Sequence, residues 1–147
     1  MKVLVQRSGK SSVSVSSKVV GKIDSGLVLF VGFTEGDDIS NINYLVKKVL
    51  NLRIFPDENG VMNKSILDYG GSILSISQFT LYADTKKGNR PSFINAAKPD
   101  KANELYEYFV EQCKKQNIKK VATGKFAADM QVTLQNDGPV TIILEKE

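Results

Sequence analysis

The segment Ser77-Gln78-Phe79-Thr80-Leu81 sets two hydroxyls and a carboxamide within four residues, at the end of an apolar run and just before a basic, glycine-containing loop. Strand ends that enter loops are where a rigid scaffold presents reactive groups. What the chain lacks limits the chemistry available there: it has no histidine, one cysteine and no tryptophan in 147 residues. A Ser-His-Asp triad, a Cys-His dyad and a histidine-built zinc site are excluded within the chain. So are an internal disulfide and a Cys-x-x-Cys knuckle. A threonine hydroxyl without an imidazole or a nearby lysine is a weak nucleophile. If this segment is catalytic, backbone N–H groups that stabilise an oxyanion contribute more than the hydroxyl. The residues alone also allow a plainer reading, a half-buried strand carrying a few polar side chains.

Asn136-Asp137-Gly138-Pro139 lies between two apolar runs and is the second candidate. Asp-Gly between such runs is a strong hairpin signal. Pro139 would open the second strand, the position where proline costs no ladder bond. X-Pro bonds are cis in only about 5–6% of cases, so the residues alone read as an ordinary turn with a trans peptide. Two other patterns fail. Gly9-Lys10-Ser11 has Leu4 where a phosphate-binding loop needs glycine, and reads as a surface hairpin. Asp57-Glu58-Asn59-Gly60 has Phe55 and Ile66 at positions where a calcium loop needs oxygen ligands, and reads as a turn.

The charge is uneven. Lys and Arg number 20 against 16 Asp and Glu, a net +4. Between Lys86 and Lys101, four lysines and Arg90 face Asp100 alone, and five lysines lie between Lys114 and Lys125 with no acid among them. Such clusters attract a phosphate backbone. The second is equally explained as a solvated helix end favoured by the dipole.

The elements that position these residues follow from periodicity. Val3 to Val5, then Val13 to Ile23, then Gly26 to Phe33 read as three β-rich runs. Asp37 or Asp38 caps a helix whose stripe is Ile39, Ile42, Leu45, Val46, Val49 and Leu50. Ser72 to Leu81 reads as a strand covered on both faces, Leu74 and Ile76 on one and Ile73, Phe79 and Leu81 on the other. After a loop from Tyr82 to Lys98, Pro99 suits the first turn of a second helix with Ala102, Leu105, Tyr106, Phe109, Val110 and Cys113 on its apolar stripe. Cys113 is thereby expected in the core, not as a nucleophile. Met130 to Leu134 and Val140 to Leu144 read as the closing strands. The expectation is one α+β domain spanning residues 1–147, with mostly antiparallel, barrel-like sheets and two amphipathic helices. No secretory segment and no membrane-length apolar run is visible, so a cytoplasmic location is expected.

Taken together, Ser77-Gln78-Phe79-Thr80-Leu81 and Asn136-Asp137-Gly138-Pro139-Val140-Thr141 resemble the paired signatures of the D-aminoacyl-tRNA deacylases. The resemblance extends through Val5-Gln6-Arg7, Gly26-Leu27, Arg53-Ile54-Phe55, Gly70-Gly71-Ser72, Arg90-Pro91-Ser92-Phe93 and Thr123-Gly124-Lys125-Phe126. Ser8 and Ser11 depart from it, where more apolar residues are expected.

The resemblance implies a homodimer that hydrolyses the ester between a D-amino acid and tRNA, and that removes glycine mischarged on tRNA. It implies a cis Gly138-Pro139 bond that enters the partner's pocket and screens chirality. Ser77, Gln78, Phe79 and Thr80 would line the pocket for the terminal adenosine and aminoacyl group, with Arg7, Phe126 and Met130 supporting it. Lys86, Lys87 and Arg90 would hold acceptor-stem phosphates. No metal, cofactor or membrane is called for. A backbone wall rejects an L side chain sterically and leaves glycine unrejected. Water attack, with backbone oxyanion stabilisation and help from the tRNA 2′-OH, is the expected mechanism, and Thr80 as covalent nucleophile the alternative. A non-catalytic RNA-binding module is the competing function. Against it, the chain lacks the aromatic-rich strand motif that stacks bases.

Overall fold

The sheet is assembled on one long strand, β1 (Lys2–Val15). The computed structural model describes residues 1–147. β1 pairs antiparallel with β2 (Lys18–Ile23) through its second half and with β3 (Gly26–Gly32) through its first. The β1–β2 turn places Ser16 and Ser17 at φ 50° and 64°, the left-handed conformations that a two-residue hairpin of matching twist requires. The single apolar run expected from Val13 to Ile23 thus divides between two strands. Gly9-Lys10-Ser11 lies inside β1 rather than in a surface hairpin.

Helix α1 (Ile39–Asn51) follows. Its cap is Asp38, which accepts from Ser40 N at 2.8 Å and Asn41 N at 3.3 Å, while Asn41 Oδ1 accepts from Asp38 N at 2.9 Å. This reciprocal pair satisfies donors that the first turn leaves orphaned. Asp37 is occupied otherwise: its carboxylate takes the Met1 ammonium at 2.7 Å and Thr34 N at 2.8 Å. The expected turn at Pro56–Gly60 joins β4 (Phe55–Pro56) and β5 (Met62–Lys64). A short helix, α2 (Ile66–Tyr69), leads into β6 (Ser72–Ser77).

β6 runs parallel to β3, and β7 (Val121–Thr123) parallel to β6. The sheet is therefore mixed: antiparallel around β1, parallel on its far side. Helix α3 (Pro99–Lys114) provides the crossover between β6 and β7 and starts at Pro99. β2 returns against β7 so closely that a Cβ added at Gly21 would stand 2.5 Å from the Thr123 carbonyl oxygen. The barrel is nearly closed there, and only glycine fits.

Alternation along the strands divides the core. Leu27, Leu29, Val31 and Ile73 face the outer cluster, beneath the stripes of α1 and α3. Val28, Leu74 and Ile76 face inward with Val13, Ile23 and Ala122. Both faces of β6 are covered, as its apolar pattern requires. Cys113 is 1% exposed within the outer cluster, and burial pushes its thiol up to about 12. That is a core cysteine. No helix is long and apolar enough to cross a membrane.

Candidate active site

β6 stops at Ser77, and the chain turns at once into a 3-10 turn, Phe79–Tyr82. The strand expected through Leu81 is shorter for a physical reason: beyond Ser77 no neighbouring strand remains, because β3 ends at Gly32. Gln78 N still donates to Val31 O at 2.7 Å and anchors the corner. Phe79 is consequently not buried on a covered face; it is 56% exposed. The first N–H groups of any helical turn lack internal partners. Those of Phe79 and Thr80 also find no acceptor elsewhere in the chain, and both residues are exposed at the corner. Thr80 Oγ1 accepts from Gln78 Nε2 at 2.5 Å. The Gln78 carboxamide is the side chain hydrogen-bonded to this hydroxyl, and an amide is no base.

The second motif departs further from the hairpin reading. β8 is continuous over Gln131–Glu145, and both of its halves pair with β1. The register runs from Lys2 opposite Glu145 to Gln6 opposite Thr141, then resumes with Ser8 opposite Asn136. Asp137 to Val140 thus bulge out opposite Arg7. The arms cannot pair with each other because β1 is long enough to template both. Gly138 sits at φ 119° and its bond to Pro139 is cis. The trans turn expected from base rates is not what forms.

Side chains brace the bulge. Asn136 Nδ2 donates to Arg7 O at 3.1 Å and to Val140 O at 3.0 Å, and its Oδ1 accepts from Thr141 Oγ1 at 3.1 Å. These bonds replace the ladder contacts that the bulge forfeits. Arg7 Nη1 donates to Ile54 O at 2.7 Å. Arg7 Nε lies 3.1 Å from Asp137 Oδ2, an ion pair whose angle is too poor for a hydrogen bond. Asn136 carries no reactive group and stood in the sequence only as part of a turn. Its one legible signal was asparagine's habit of bonding nearby backbone.

The remaining candidates divide between these places. Tyr106 donates to Ser75 O at 2.8 Å, and Phe126 packs on Tyr106 with ring centroids 6.2 Å apart. Met130 packs against the inner cluster, beside Gly124 at the end of β7. Phe126 thus packs against the outer cluster and Met130 against the inner one, both just past β7, in the part of the sheet where β6 also ends. Lys86, Lys87 and Arg90 are exposed on the loop after the 3-10 turn. Arg7, Gly138 and Pro139 are not part of this group. The bulge lies opposite the Leu27 row of β3 and Ser77 opposite Val31. With β1 and β3 between β8 and β6, that is about 13 Å along the strands and about 14 Å across them. Within one chain the two motifs stay apart.

A nearly closed mixed barrel, with such a corner on one side and a braced bulge on another, is a scaffold shared with known proteins. The sequence pattern of the D-Tyr-tRNA(Tyr) deacylase family matches residues 4–145. A D-aminoacyl-tRNA deacylase of Bacillus cytotoxicus is 55% identical over 147 residues, covering 100% of both chains. One of Bacillus cereus (strain B4264) is 54% identical over the same span, again covering 100% of both. A solved structure described as c-Myc DNA Unwinding Element Binding Protein superposes with a TM-score of 0.94 at 41% identity, covering 100% of this chain and 99% of that one. Another, described as a probable eukaryotic D-amino acid tRNA deacylase, gives 0.83 at 16% identity over 97% of each chain, which speaks for the fold alone. The chain belongs to the D-Tyr-tRNA(Tyr) deacylase family, and that family is one of hydrolases.

Proposed function

We propose that this chain, as one domain, hydrolyses the ester bond of D-aminoacyl-tRNA, and of glycine mischarged on tRNA, releasing free tRNA and the amino acid. Family membership supports the activity. The observation that carries the chemistry is the pair of unclaimed N–H groups of Phe79 and Thr80 at the exposed corner.

Water adds to the ester carbonyl, and the developing oxyanion takes those two donors, which need no reorganisation as charge appears. The neighbouring 2′-OH of the terminal ribose helps to orient the water and pass its proton. The acyl C–O bond then breaks, the 3′ oxygen leaves with a proton, and a free carboxylate remains. Thr80 as a covalent nucleophile is disfavoured, because the side chain bonded to its hydroxyl is an amide and not a base. Thr80→Ala with most of its turnover retained supports water attack. Loss of turnover beyond about 100-fold, together with a trapped acyl-enzyme from the native protein, sinks it.

Gly138 and Pro139 act as the chirality screen, in the pocket of the partner subunit of a homodimer. The separation of the two motifs within one chain supports this arrangement: the screen meets the corner only across a two-fold contact. Arg7 holds the bulge, Phe126 and Met130 line the far side of the corner, and Lys86, Lys87 and Arg90 hold acceptor-stem phosphates. The work is done in the cytoplasm, on tRNA charged there, without metal, cofactor or membrane.

The test is hydrolysis of matched D-Tyr-tRNA and L-Tyr-tRNA at equal, low enzyme concentration. Loss of the D ester with the L ester spared supports the reading. Equal rates overturn the screen, and survival of both esters with tRNA still bound makes the protein a binding module.

A further inference from the structure

Phe79 is not the only large apolar side chain uncovered beside the corner. Phe93 is 36% exposed and Ile94 is 85% exposed. The rings of Phe79 and Phe93 meet edge to face, centroids 5.1 Å apart at 73°. Side chains of this size ordinarily find cover, and a contiguous exposed group marks a contact site.

Looseness of the chain does not explain the exposure. Ser92 and Asp84 exchange backbone hydrogen bonds at 2.8 and 2.9 Å. Phe93 O accepts from Ala96 N at 3.0 Å, Asn95 O accepts from Thr34 Oγ1, and Ala97 N donates to Phe33 O at 2.9 Å. The segment is tied on both sides and holds Phe93 and Ile94 outward. The Asp84–Ser92 neck also carries the loop of residues 85–91, which bears Lys86, Lys87 and Arg90, contains no acidic residue and makes no ion pair. Flat apolar faces next to fixed positive charge are the two components of a single-stranded nucleic-acid site: bases stack on the one and phosphates meet the other.

We propose that Phe93 and Ile94, continuing from Phe79, form a platform on which the unpaired nucleotides preceding the terminal adenosine of tRNA stack, with their phosphates toward the basic loop. The proposal rests on the deacylase reading and adds a specificity element to it: affinity for the single-stranded end as distinct from the ester itself. A second copy of the chain is the poorer occupant, since a two-fold contact centred on the patch would set two such loops against each other.

The experiment compares the native protein with the double variant Phe93→Ala, Ile94→Ala on two substrates, D-Tyr-tRNA and the 3′-D-tyrosyl ester of adenosine. Alanine removal of a stacking contact weakens binding roughly 5- to 150-fold per base. The expected result is a rise in KM of that order for D-Tyr-tRNA, with kcat preserved and the adenosine ester cleaved at the native rate. A parallel readout needs no catalysis: uncharged tRNA with 2-aminopurine at the penultimate position should be quenched by the native protein and not by the variant. Equal losses on both substrates, or no loss on either, overturn the platform. Dissociation of a dimer by the double variant in sedimentation assigns the patch to the other copy and overturns it as well. If the native protein cleaves neither substrate yet quenches the probe, the deacylase reading fails and the platform stands.

Discussion

Replacing Gly138 by alanine should unseat the bulge, and the size of the effect follows from the geometry. The added Cβ would stand 2.8 Å from Val140 Cγ2, 3.0 Å from Arg7 Nη2 and 3.1 Å from Val140 N, at φ 119°. An L residue held at such a φ costs about 1–3 kcal/mol. Turning Val140 off its rotamer to relieve the first contact costs about 0.5–1.5 kcal/mol more. The Val140 nitrogen cannot swing aside, and moving Arg7 endangers its 2.7 Å bond to Ile54 O. The total is about 2–4 kcal/mol, which at a urea slope near 2 kcal/mol/M is a midpoint shift of about 1–2 M. If the chain relieves the strain by shifting the bulge about 1 Å, D-Tyr-tRNA turnover falls on the order of 100-fold. Urea unfolding followed by fluorescence, with hydrolysis of D-Tyr-tRNA and L-Tyr-tRNA in parallel, reads both effects. Gly138→Ala combined with Val140→Ala should recover part of the stability, since one of the three contacts is gone. A Gly138→Ala protein with a native midpoint and native turnover would refute the assignment of this bulge as a rigid, functional wall.

Asn136→Asp replaces an amide that donates to two carbonyls by a carboxylate that cannot, and should destabilise the protein by about 1–3 kcal/mol in urea unfolding. An unchanged midpoint would mean that the amide does not brace the bulge. Cys113 should resist iodoacetamide in the native state at pH 8 and react only on unfolding, because burial holds the thiol at about 12; native-state alkylation, read by mass spectrometry, would contradict its placement. Asp38 and Asp57 are held below their usual range, Asp38 chiefly by the Ser40 side chain and Asp57 by the Val61 backbone. Their folded pKa values lie below the unfolded ones, so their stabilisation is complete above about pH 4 and is lost as pH falls further. Asn at either position should flatten the acid limb of a stability-against-pH curve, and an unaltered limb would argue against the Asp38 cap and the Asp57 turn bonds to Asn59 N and Val61 N.

Much of this fold is legible because local signals agree with it. Every buried residue of α3 lies on the stripe that the spacing from Ala102 to Cys113 defines, and Pro99 marks its start. Where reading fails, a distant partner decides. Asp-Gly-Pro after an apolar run satisfies every local rule for a hairpin, yet β1 offers both arms a better template, and no local pattern reveals a template some 130 residues away. Phe79 and Leu81 alternate as a strand would, but β3 ends before they can use it. β7, three residues long, and α2, four, are too short for any period to show. The candidate site residues can be picked out in the sequence by type. Their separation into two places cannot, because it depends on register across three strand pairings.

Pairing Lys2 with Glu145 also orders events in time. A chain emerging from the ribosome exposes β1 first and β8 last, so one edge of β1 waits unpaired while everything between them is made. The first half of β1 can add β3 early, and β3 can add β6, without any help from the C-terminal strand. The edge that β8 will occupy is meanwhile an open template for another nascent chain. Contacts this distant in sequence form slowly. The Gly138-Pro139 bulge is therefore among the last features to assemble, and a half-made molecule can already have its apolar core without having the bulge proposed here as its screen.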